Sequence, residues 1–281
     1  MSISFDALSQ SLDRLAAIPD EEWLKSLDDR KRKELEFHDR DRDRQLIQTL
    51  DGDTYEKFYG NKKYYRATEL SKAYVDSWIA RHAPGKVFLD YACGNGANAI
   101  KAAKAGARLA IGIDISSISV RNARQDAEAA GVGDRCRFVQ ADAENTQLPD
   151  ASMDVIICSG MLHHLDLSFA FPELARILAA DGRLLAVEAL DYNPLIKLYR
   201  NLTPDMRTEW EKAHILSLKD VRFAQEFFRL GEVRYWHILS IAGGKVPALL
   251  PMLNAIDRVV TRIPGIQLLA WIFTFELRSK A

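Results

Sequence analysis

The sequence has few cysteines, and no two of them are spaced as a CxxC motif. Its three cysteines, Cys93, Cys136 and Cys158, are an odd number, and two of them lie inside apolar, strand-like runs. Dispersed cysteines of this kind are typical of thiols that stay reduced. We therefore expect a cytoplasmic location.

Long apolar runs and an excess of one charge are also missing. No window reaches the roughly 18 apolar residues that a membrane span needs, and the first residues, MSISFDALSQ, lack the basic start and apolar core of a signal peptide. Lys and Arg number 38 against 39 acidic residues, so no overall field attracts nucleic acid. We expect no transmembrane segment, no export and no nucleic-acid partner.

What is present is an ordinary globular composition, with 48% hydrophobic and 27% charged residues. From Lys86 onward, short apolar runs alternate with stretches of helical spacing: VFLDYACGNG, ARLAIGIDIS, RCRFVQADAE, MDVIICSGML and GRLLAVEALD. Two later runs, VRYWHILSI and LLAWIFTFEL, are also strand-like, and the second is apolar on both faces, as a central strand would be. The pattern predicts an α/β fold with a doubly wound, mainly parallel seven-stranded sheet.

The order of these patterns predicts four parts of one domain. Residues 1–84 form an N-terminal helical cap, and residues 85–192 form the α/β core. A helical insertion or lid follows the fifth strand at residues 193–231, and residues 232–281 supply the strands and helix that complete the core. The insertion is placed where it can cover a pocket.

Three segments outside the core have two interpretations each. The run of mixed charge at residues 30–44 is interpreted as a solvated helical face rather than a binding site. The aromatic stretch at residues 55–66 is interpreted as a packing seam of the cap, although Tyr65 in it is a candidate to fold over a bound cofactor. In residues 246–263 one helical face is apolar, and we expect it to pack on the core, with peripheral lipid contact as the alternative. That face comprises Leu249, Leu253, Ile256, Val260 and Ile263.

The turn after the first strand is built from small residues, as required where a ligand approaches the backbone at the carboxyl end of a strand. Asp90, Ala92, Gly94 and Gly96 stand at its characteristic positions. The stretch resembles the first motif of the class I, Rossmann-like S-adenosylmethionine (SAM)-dependent methyltransferases. Ala92 replaces a glycine common in that motif, and alanine can serve there if its φ stays negative.

Two further acidic positions follow at the spacing of successive βα units. Asp114 ends the second strand near the switch point of the sheet, where its oxygens can accept hydrogen bonds from both ribose hydroxyls. After the third strand, Asp142 resembles the family's acidic contact to the adenine amino group. The resemblance therefore implies that Asp114 and Ile115, together with Asp142 and Ala143, bind SAM.

The fourth strand, residues 154–165, is similar to that of the small-molecule C- and O-methyltransferases, which include quinone-modifying enzymes. The resemblance places Ser159 in the cofactor site, and His163 and His164 follow it at the carboxyl end of a core strand. Methyl transfer is an in-line displacement, so positioning dominates, and a hydroxyl or activated carbon acceptor needs a base of near-neutral pKa. His163 and His164 are the leading candidates. Glu188, Tyr192 and His214 rank behind them.

The cavity for the acceptor is expected under the insertion and the cap. Apolar residues of the insertion are the candidate walls: Leu195, Ile196, Leu198, Tyr199, Phe227 and Phe228. Polar anchors are expected among Arg200, Arg207 and His214. The acceptor is thus predicted to be a small, largely apolar metabolite. No metal is predicted, because Ser159 is a poor ligand where the metal-dependent catechol enzymes carry an acid.

The sequence leaves several functions open within and outside this family. O- or C-methylation is favoured, whereas N-methylation, RNA methylation and non-catalytic SAM binding are alternatives of the same fold. An NAD-binding oxidoreductase is disfavoured, because the dinucleotide-binding motif has glycine at the positions that correspond to 92, 94 and 97, where this chain has Ala92, Gly94 and Ala97. The oligomeric state is not determined by the sequence.

Overall fold

The computed structural model describes residues 5–280. Its centre is one sheet of seven strands, which are β1 (Val87–Tyr91), β2 (Leu109–Asp114), β3 (Cys136–Gln140), β4 (Met153–Ser159), β5 (Leu178–Ala189), β6 (Phe228–Trp236) and β7 (Ile272–Ser279). They lie in the order β3-β2-β1-β4-β5-β7-β6. The predicted mainly parallel, seven-stranded sheet is confirmed. Only β7 runs antiparallel to its neighbours β5 and β6.

Helices cover both faces of the sheet. Before the sheet come α1 (Phe5–Ala16), α2 (Asp20–Ser26), α3 (Asp29–Arg42), α4 (Arg44–Thr49), α5 (Gly52–Tyr59), a 3-10 helix (Gly60–Ala67) and α6 (Glu69–His82). Between strands lie α7 (Ala97–Lys104), α8 (Ser117–Ala129), α9 (Leu167–Ile177), α10 (Pro194–Leu202), α11 (Glu209–Ala213), α12 (Leu218–Ala224) and α13 (Leu250–Val260). The helical insertion after the fifth strand is observed as α10 to α12, while the boundaries of the four parts stay predictions.

The central strands are apolar on both faces because both faces are buried. In β1 all five residues are buried, and so are all six in β2. Leu89 and Tyr91 pack on one side of the sheet with α1, whereas Phe88 packs on the other side with α6, α7 and α8. This alternation follows from the two-residue period of a strand.

The strand order reverses at β1, which pairs with β2 on one side and β4 on the other. In an open parallel sheet such a reversal leaves a crevice beyond the carboxyl ends of the strands, because the loops on either side diverge. The sequence motifs with Asp90, Asp114, Ser159 and His163 all lie at this edge.

The structure differs from the sequence-based expectations at two places, one in the C-terminal segment and one in the turn after β1. The predicted apolar face of residues 246–263 packs on the core only in part: Leu253 and Val260 are half-buried, but Leu249, Ile256 and Ile263 are 38–42% exposed, and the fully buried residues of α13 are Asn254 and Asp257. Helix α13 has this orientation because its polar side chains are hydrogen-bonded to the core.

Within residues 5–280, no helix combines the length and the apolar composition that crossing a bilayer requires.

The second correction concerns Ala92, whose φ is +53° rather than negative. This is the left-handed region, where the Cβ of alanine crowds the following carbonyl oxygen at a cost of roughly 1–2 kcal/mol. The turn therefore keeps the backbone path of the glycine-containing motif although its residue is alanine.

We predict that Ala92→Gly stabilises the fold by about 0.5–1 kcal/mol. Glycine removes the left-handed strain, although the greater freedom of the unfolded chain offsets part of the gain. Urea unfolding would measure the change. Ala129→Gly, at an exposed helical position in α8, is the matched control and should destabilise by about 1 kcal/mol. Equal destabilisation by both substitutions would contradict the strain at residue 92.

Candidate functional site

The turn after β1 is tied to the end of β2 by Asp114. One carboxylate oxygen of Asp114 accepts a hydrogen bond from the Gly94 N–H (2.7 Å), and the other accepts one from the Ser116 N–H (2.9 Å). Burial raises the pKa of this carboxyl group, and the two N–H donors oppose the rise. Each oxygen keeps a second lone pair, so Asp114 can still accept hydrogen bonds from a ligand.

Both glycines of the turn have left-handed backbone conformations. Gly94 and Gly96 have φ values of +51° and +72°. A Cβ on Gly96 would meet the Phe138 ring at 2.5 Å, so glycine there permits close packing of α7 on the sheet. The turn matches the tight, close-approach loop expected from the sequence.

Asp90 lies beneath this turn and is almost fully buried. Its carboxylate accepts hydrogen bonds from the N–H groups of Asn98 and Ala99, each at 3.1 Å, at the start of α7. Burial raises its pKa to about 7, against the effect of these hydrogen bonds. The hydrogen-bond donors to Asp90 in this structure are thus backbone groups of α7, and its assignment as a cofactor contact stays a prediction.

The third acidic motif is engaged by α3. Lys31 contacts the Asp142 carboxylate at 2.6 Å, and Arg30 contacts Glu144 at 2.6 Å. The backbone carbonyl of the neighbouring Ala143 accepts a hydrogen bond from the Tyr91 hydroxyl.

Helix α3 continues across the carboxyl ends of the other strands. The hydroxyl of Ser116 donates to the Asp39 carboxylate, and the Arg42 guanidinium lies 3.3 Å from where a Cβ on Gly94 would be. Ile115 packs in a small apolar cluster with residues of α2 and α3 and the loop between them, Trp23, Leu27 and Leu35. The expectation of a solvated face at residues 30–44 is therefore wrong, because α3 makes specific contacts with the predicted cofactor residues.

Sequence reasoning missed these α3 residues, although a signal was present. Lys31, Glu34, His38 and Arg42 recur at three- and four-residue spacing and so form one polar stripe. Such a stripe can face solvent or a polar site, and the sequence alone does not say which. The Nε of Arg42 is buried without a hydrogen-bond partner among the described residues, which leaves a donor directed at this site.

His163 forms a buried pair with Glu188 at the ends of β4 and β5. Its Nδ1 lies 2.7 Å from one Glu188 oxygen, and the other Glu188 oxygen accepts from the N–H groups of Met161 and Leu162, each at 2.9 Å. Burial disfavours the charged ring, but the Glu188 carboxylate outweighs it, so the pKa of His163 is raised. When the ring is neutral, the contact with Glu188 favours the proton on Nδ1, which leaves Nε2 as an acceptor.

His164 and His38 extend this group towards the cap. The Nδ1 of His164 lies 2.9 Å from Glu34, and its ring centroid lies 4.3 Å from that of His163 and 4.7 Å from that of His38. Burial and the nearby charges of His164 and Arg42 lower the pKa of His38 well below its ordinary value. The two predicted histidines are thus brought together, and α3 supplies a third.

A cavity of about 840 Å³ opens beside these histidines. Ser159 and Glu188 line it from the sheet, and Tyr65 lines it from the cap. Of the predicted acceptor contacts, Leu195, Ile196, Tyr199, Arg200 and Arg207 line it. The adenosine contacts predicted at Asp114, Ile115, Asp142 and Ala143 do not, because α3 lies over them.

Several predicted wall and base residues lie elsewhere. Phe228 is a buried residue of β6 and Phe227 packs against the core, so neither is a wall. Leu198 is 56% exposed and outside the cavity. His214 stacks on Trp210, with ring centroids 3.8 Å apart. The Tyr192 hydroxyl accepts from the Leu218 N–H, so neither Tyr192 nor His214 is placed to act as the base.

Two groups of side chains have the composition of a two-histidine, one-carboxylate metal site. Glu34, His38 and His164 form one, and His163, His164 and Glu211 form the other, with the potential ligand atoms of each group within 4.8 Å of one another. The ring nitrogens facing Glu34 and Glu188 already have hydrogen-bond partners. The absence of a metal requirement stays a prediction.

Comparisons with known proteins agree with this geometry. Residues 89–186 match the family described as a methyltransferase domain. The 27-O-demethylrifamycin SV methyltransferase of Amycolatopsis mediterranei is 42% identical over 101 residues, which cover 36% of this chain and 37% of that protein. The ribosomal protein L11 methyltransferase of Actinobacillus succinogenes is 33% identical over 100 residues, covering 36% and 32% of the two chains. This chain thus spans about a third of the curated relatives it matches.

Solved structures share the fold over a longer stretch. A geranyl diphosphate C-methyltransferase from Streptomyces coelicolor, in complex with Mg²⁺, geranyl diphosphate and S-adenosyl-L-homocysteine, gives a TM-score of 0.54 at 15% identity, covering 75% of this chain and 79% of its own. The [4+2]-cyclase SpnF gives 0.52 at 19% identity, covering 73% and 80%. At these identities the likeness concerns the fold. At residues 89–186 the chain is thus similar to the methyltransferase domain, and the solved structures share its Rossmann-like fold.

Proposed function

We propose that the chain transfers a methyl group from SAM to a small, largely apolar molecule held in the cavity beside His163. The observation that carries this proposal is the buried His163–Glu188 pair at the carboxyl ends of β4 and β5, facing a cavity with apolar walls. A base and an acceptor pocket are what methylation of a hydroxyl or an activated carbon requires.

Oxygen and carbon are the favoured acceptor atoms. The names of two similar proteins contain O- and C-methyltransfer respectively, namely the rifamycin and the geranyl diphosphate enzymes. The match to ribosomal protein L11 methyltransferases covers about a third of this chain, so similarity in the core does not by itself select the acceptor. The cavity walls from α10, outside that core, are the stronger argument for a small apolar molecule.

Arg200 and Arg207 are proposed as the polar anchors of this acceptor. The side chains of Arg200 and Arg207 are only 11% and 9% exposed, although both line the cavity. One terminal nitrogen of Arg200 is buried without a hydrogen bond among the described residues, and the carboxylate of Asp191 lies 3.6 Å from it, beyond hydrogen-bond distance. A buried donor of this kind favours an acceptor that brings an oxygen or an anionic group to it.

SAM is proposed to bind beyond the ends of β1 to β3, with Asp114 on the ribose and Asp142 on the adenine. The left-handed glycine turn and the remaining lone pairs of Asp114 fit such a ligand, and SAM supplies an electrophilic methyl group on a sulfonium. Lys31 forms an ion pair with Asp142 in this structure. We therefore propose that α3 covers the site and that the Lys31–Asp142 contact breaks when SAM binds.

The cofactor assignment predicts that Asp114→Ala weakens SAM binding by more than about tenfold, roughly 1.4 kcal/mol. Removal of the carboxylate deletes the acceptor for the ribose hydroxyls and loosens the Gly94 turn. Calorimetry measures the affinity, and Asp126→Ala, at the partly exposed end of α8, is the matched control. Unchanged affinity in a folded Asp114→Ala protein would refute the assignment.

The base assignment predicts a loss of kcat of about a hundredfold to ten-thousandfold in His163→Asn with SAM binding retained. A base acts when neutral, so the rate rises with pH through the raised pKa of His163. In Glu188→Gln the imidazolium loses its carboxylate partner, and the rising limb of the pH profile should move to lower pH. His214→Ala should keep the wild-type profile. Wild-type rates in His163→Ala and His164→Ala would show that positioning alone suffices.

The acceptor class is tested with methyl-labelled SAM and cell extract. We expect label in the organic phase, because the product is largely apolar, and unchanged incorporation after dialysis against EDTA. Nuclease and protease treatment should leave the labelled product intact. Label recovered only in nucleic acid or protein would overturn the proposal, and SAM binding without any transfer would indicate a non-catalytic protein.

A further inference from the structure

The outer side of α13 and its flanks is an exposed apolar surface. Six residues at three- and four-residue spacing, each 38–62% exposed, form what we call the α13 face: Leu249, Met252, Ile256, Val259, Ile263 and Ile266. Met252, Ile256 and Val259 share one side of α13, while Leu249, Ile263 and Ile266 lie in the short turns that flank it. Isolated exposed apolar residues are normal, but a group of six so close together in the chain marks an interaction surface.

The helix is held to the core by its polar side. Asp257 is fully buried, and its carboxylate accepts hydrogen bonds from the N–H groups of Ile238 (3.1 Å), Leu239 (2.9 Å) and Ser240 (2.9 Å). Asn254, one turn earlier, is also buried. This orientation is the reverse of the usual one for a surface helix, which buries its apolar stripe. The apolar face is therefore fixed outward by specific polar contacts.

The segment that follows α13 reaches the rim of the cavity. The Asn193 side chain, which caps the start of α10, donates to the Leu269 carbonyl at 2.6 Å. Beyond Asn193, Leu195 and Leu202 on α10 are 75% and 72% exposed, and Leu195 also lines the cavity. Trp271, which follows the α13 segment, lines the cavity as well. The chain that leaves α13 therefore meets the start of α10 beside the acceptor site.

Within the segment that carries the α13 face, the exposed charged side chains are all basic, although the exposed Glu69 of α6 accepts a hydrogen bond from Asn254 on the opposite, polar side of the helix. In residues 238–271 the charged side chains are Lys245, Asp257, Arg258 and Arg262, and Asp257 is buried. The three basic residues are exposed, and none forms an ion pair with another residue between 5 and 280. An apolar helical face with only basic exposed charges is the composition of a helix that lies in the surface of an anionic membrane.

We propose that the α13 face docks this chain on the surface of an anionic phospholipid bilayer. The apolar residues enter the boundary of the acyl chains while Lys245, Arg258 and Arg262 lie near the lipid phosphates. A second copy fits the surface less well, because a two-fold contact would bring these basic residues together. Docking there brings the cavity mouth to the phase in which an apolar acceptor is concentrated.

Co-sedimentation with lipid vesicles tests the proposal. We expect wild-type protein to bind phosphatidylglycerol vesicles at least fivefold more than phosphatidylcholine vesicles at low salt. Val259→Gln with Ile263→Gln should reduce binding about tenfold, and replacing Lys245, Arg258 and Arg262 by Gln should remove the preference for phosphatidylglycerol. SAM affinity should stay unchanged in these variants, which separates lipid docking from the proposed methyl transfer.

Two controls match these changes. Leu46→Gln replaces an exposed apolar residue on α4, and Lys86→Gln with Lys104→Gln and Arg135→Gln removes two exposed charges and one partly exposed charge at the opposite edge of the sheet. Both controls should bind vesicles as the wild type does. No wild-type binding to phosphatidylglycerol vesicles would overturn the proposal. It would also be overturned by self-association that Val259→Gln with Ile263→Gln abolishes while vesicle binding persists, since a second copy would then occupy the face.

Discussion

Buried carboxylates at the carboxyl ends of the strands hold the functional edge of this protein together. Asp90, Asp114 and Glu188 each lie near the end of a strand, and each accepts backbone N–H groups from a loop or a helix start at this edge of the sheet. A carboxylate removed from water without partners would be very unfavourable, so the loops must adopt the conformations that supply those donors. The turn after β1, the start of α8 and the segment carrying His163 are fixed by this requirement.

The cap is attached to that edge in a different way. Helix α3 contributes one buried apolar residue, Leu35, while its contacts with Asp142, Glu144 and Ser116 are polar. The four side chains of these ion pairs are only 4–21% exposed, so their attraction is offset by the cost of removing the charges from water. A ligand can replace such contacts where it brings its own polar groups to the carboxylates that α3 leaves. Helix α3 is accordingly suited to cover a site that a cofactor enters and leaves.

The C-terminal part shows the same division between a rigid sheet and an adaptable rim. β7 is inserted between β5 and β6, so Phe273 and Phe275 complete the core that the parallel strands begin. The segment between β6 and β7 then lies at the rim, where Asp257 fixes its backbone and leaves its apolar residues outward. The ends of the strands form the floor of the cavity between this rim and α10, and the cap and the insertion form its walls.

The sequence by itself determined the sheet, the order of its motifs and the residues at its carboxyl edge, because strand periodicity and turn composition are local properties of the chain. It also placed His163 and His164 side by side. Only the tertiary structure decided the φ of Ala92, the pairing of His163 with Glu188, and the side on which α3 and α13 are covered. Those outcomes depend on groups far apart in the chain: Lys31 meets Asp142, and Asp257 meets the backbone after β6. An amphipathic pattern states which residues share a face, but the partner that covers that face is set by the packing of the whole chain.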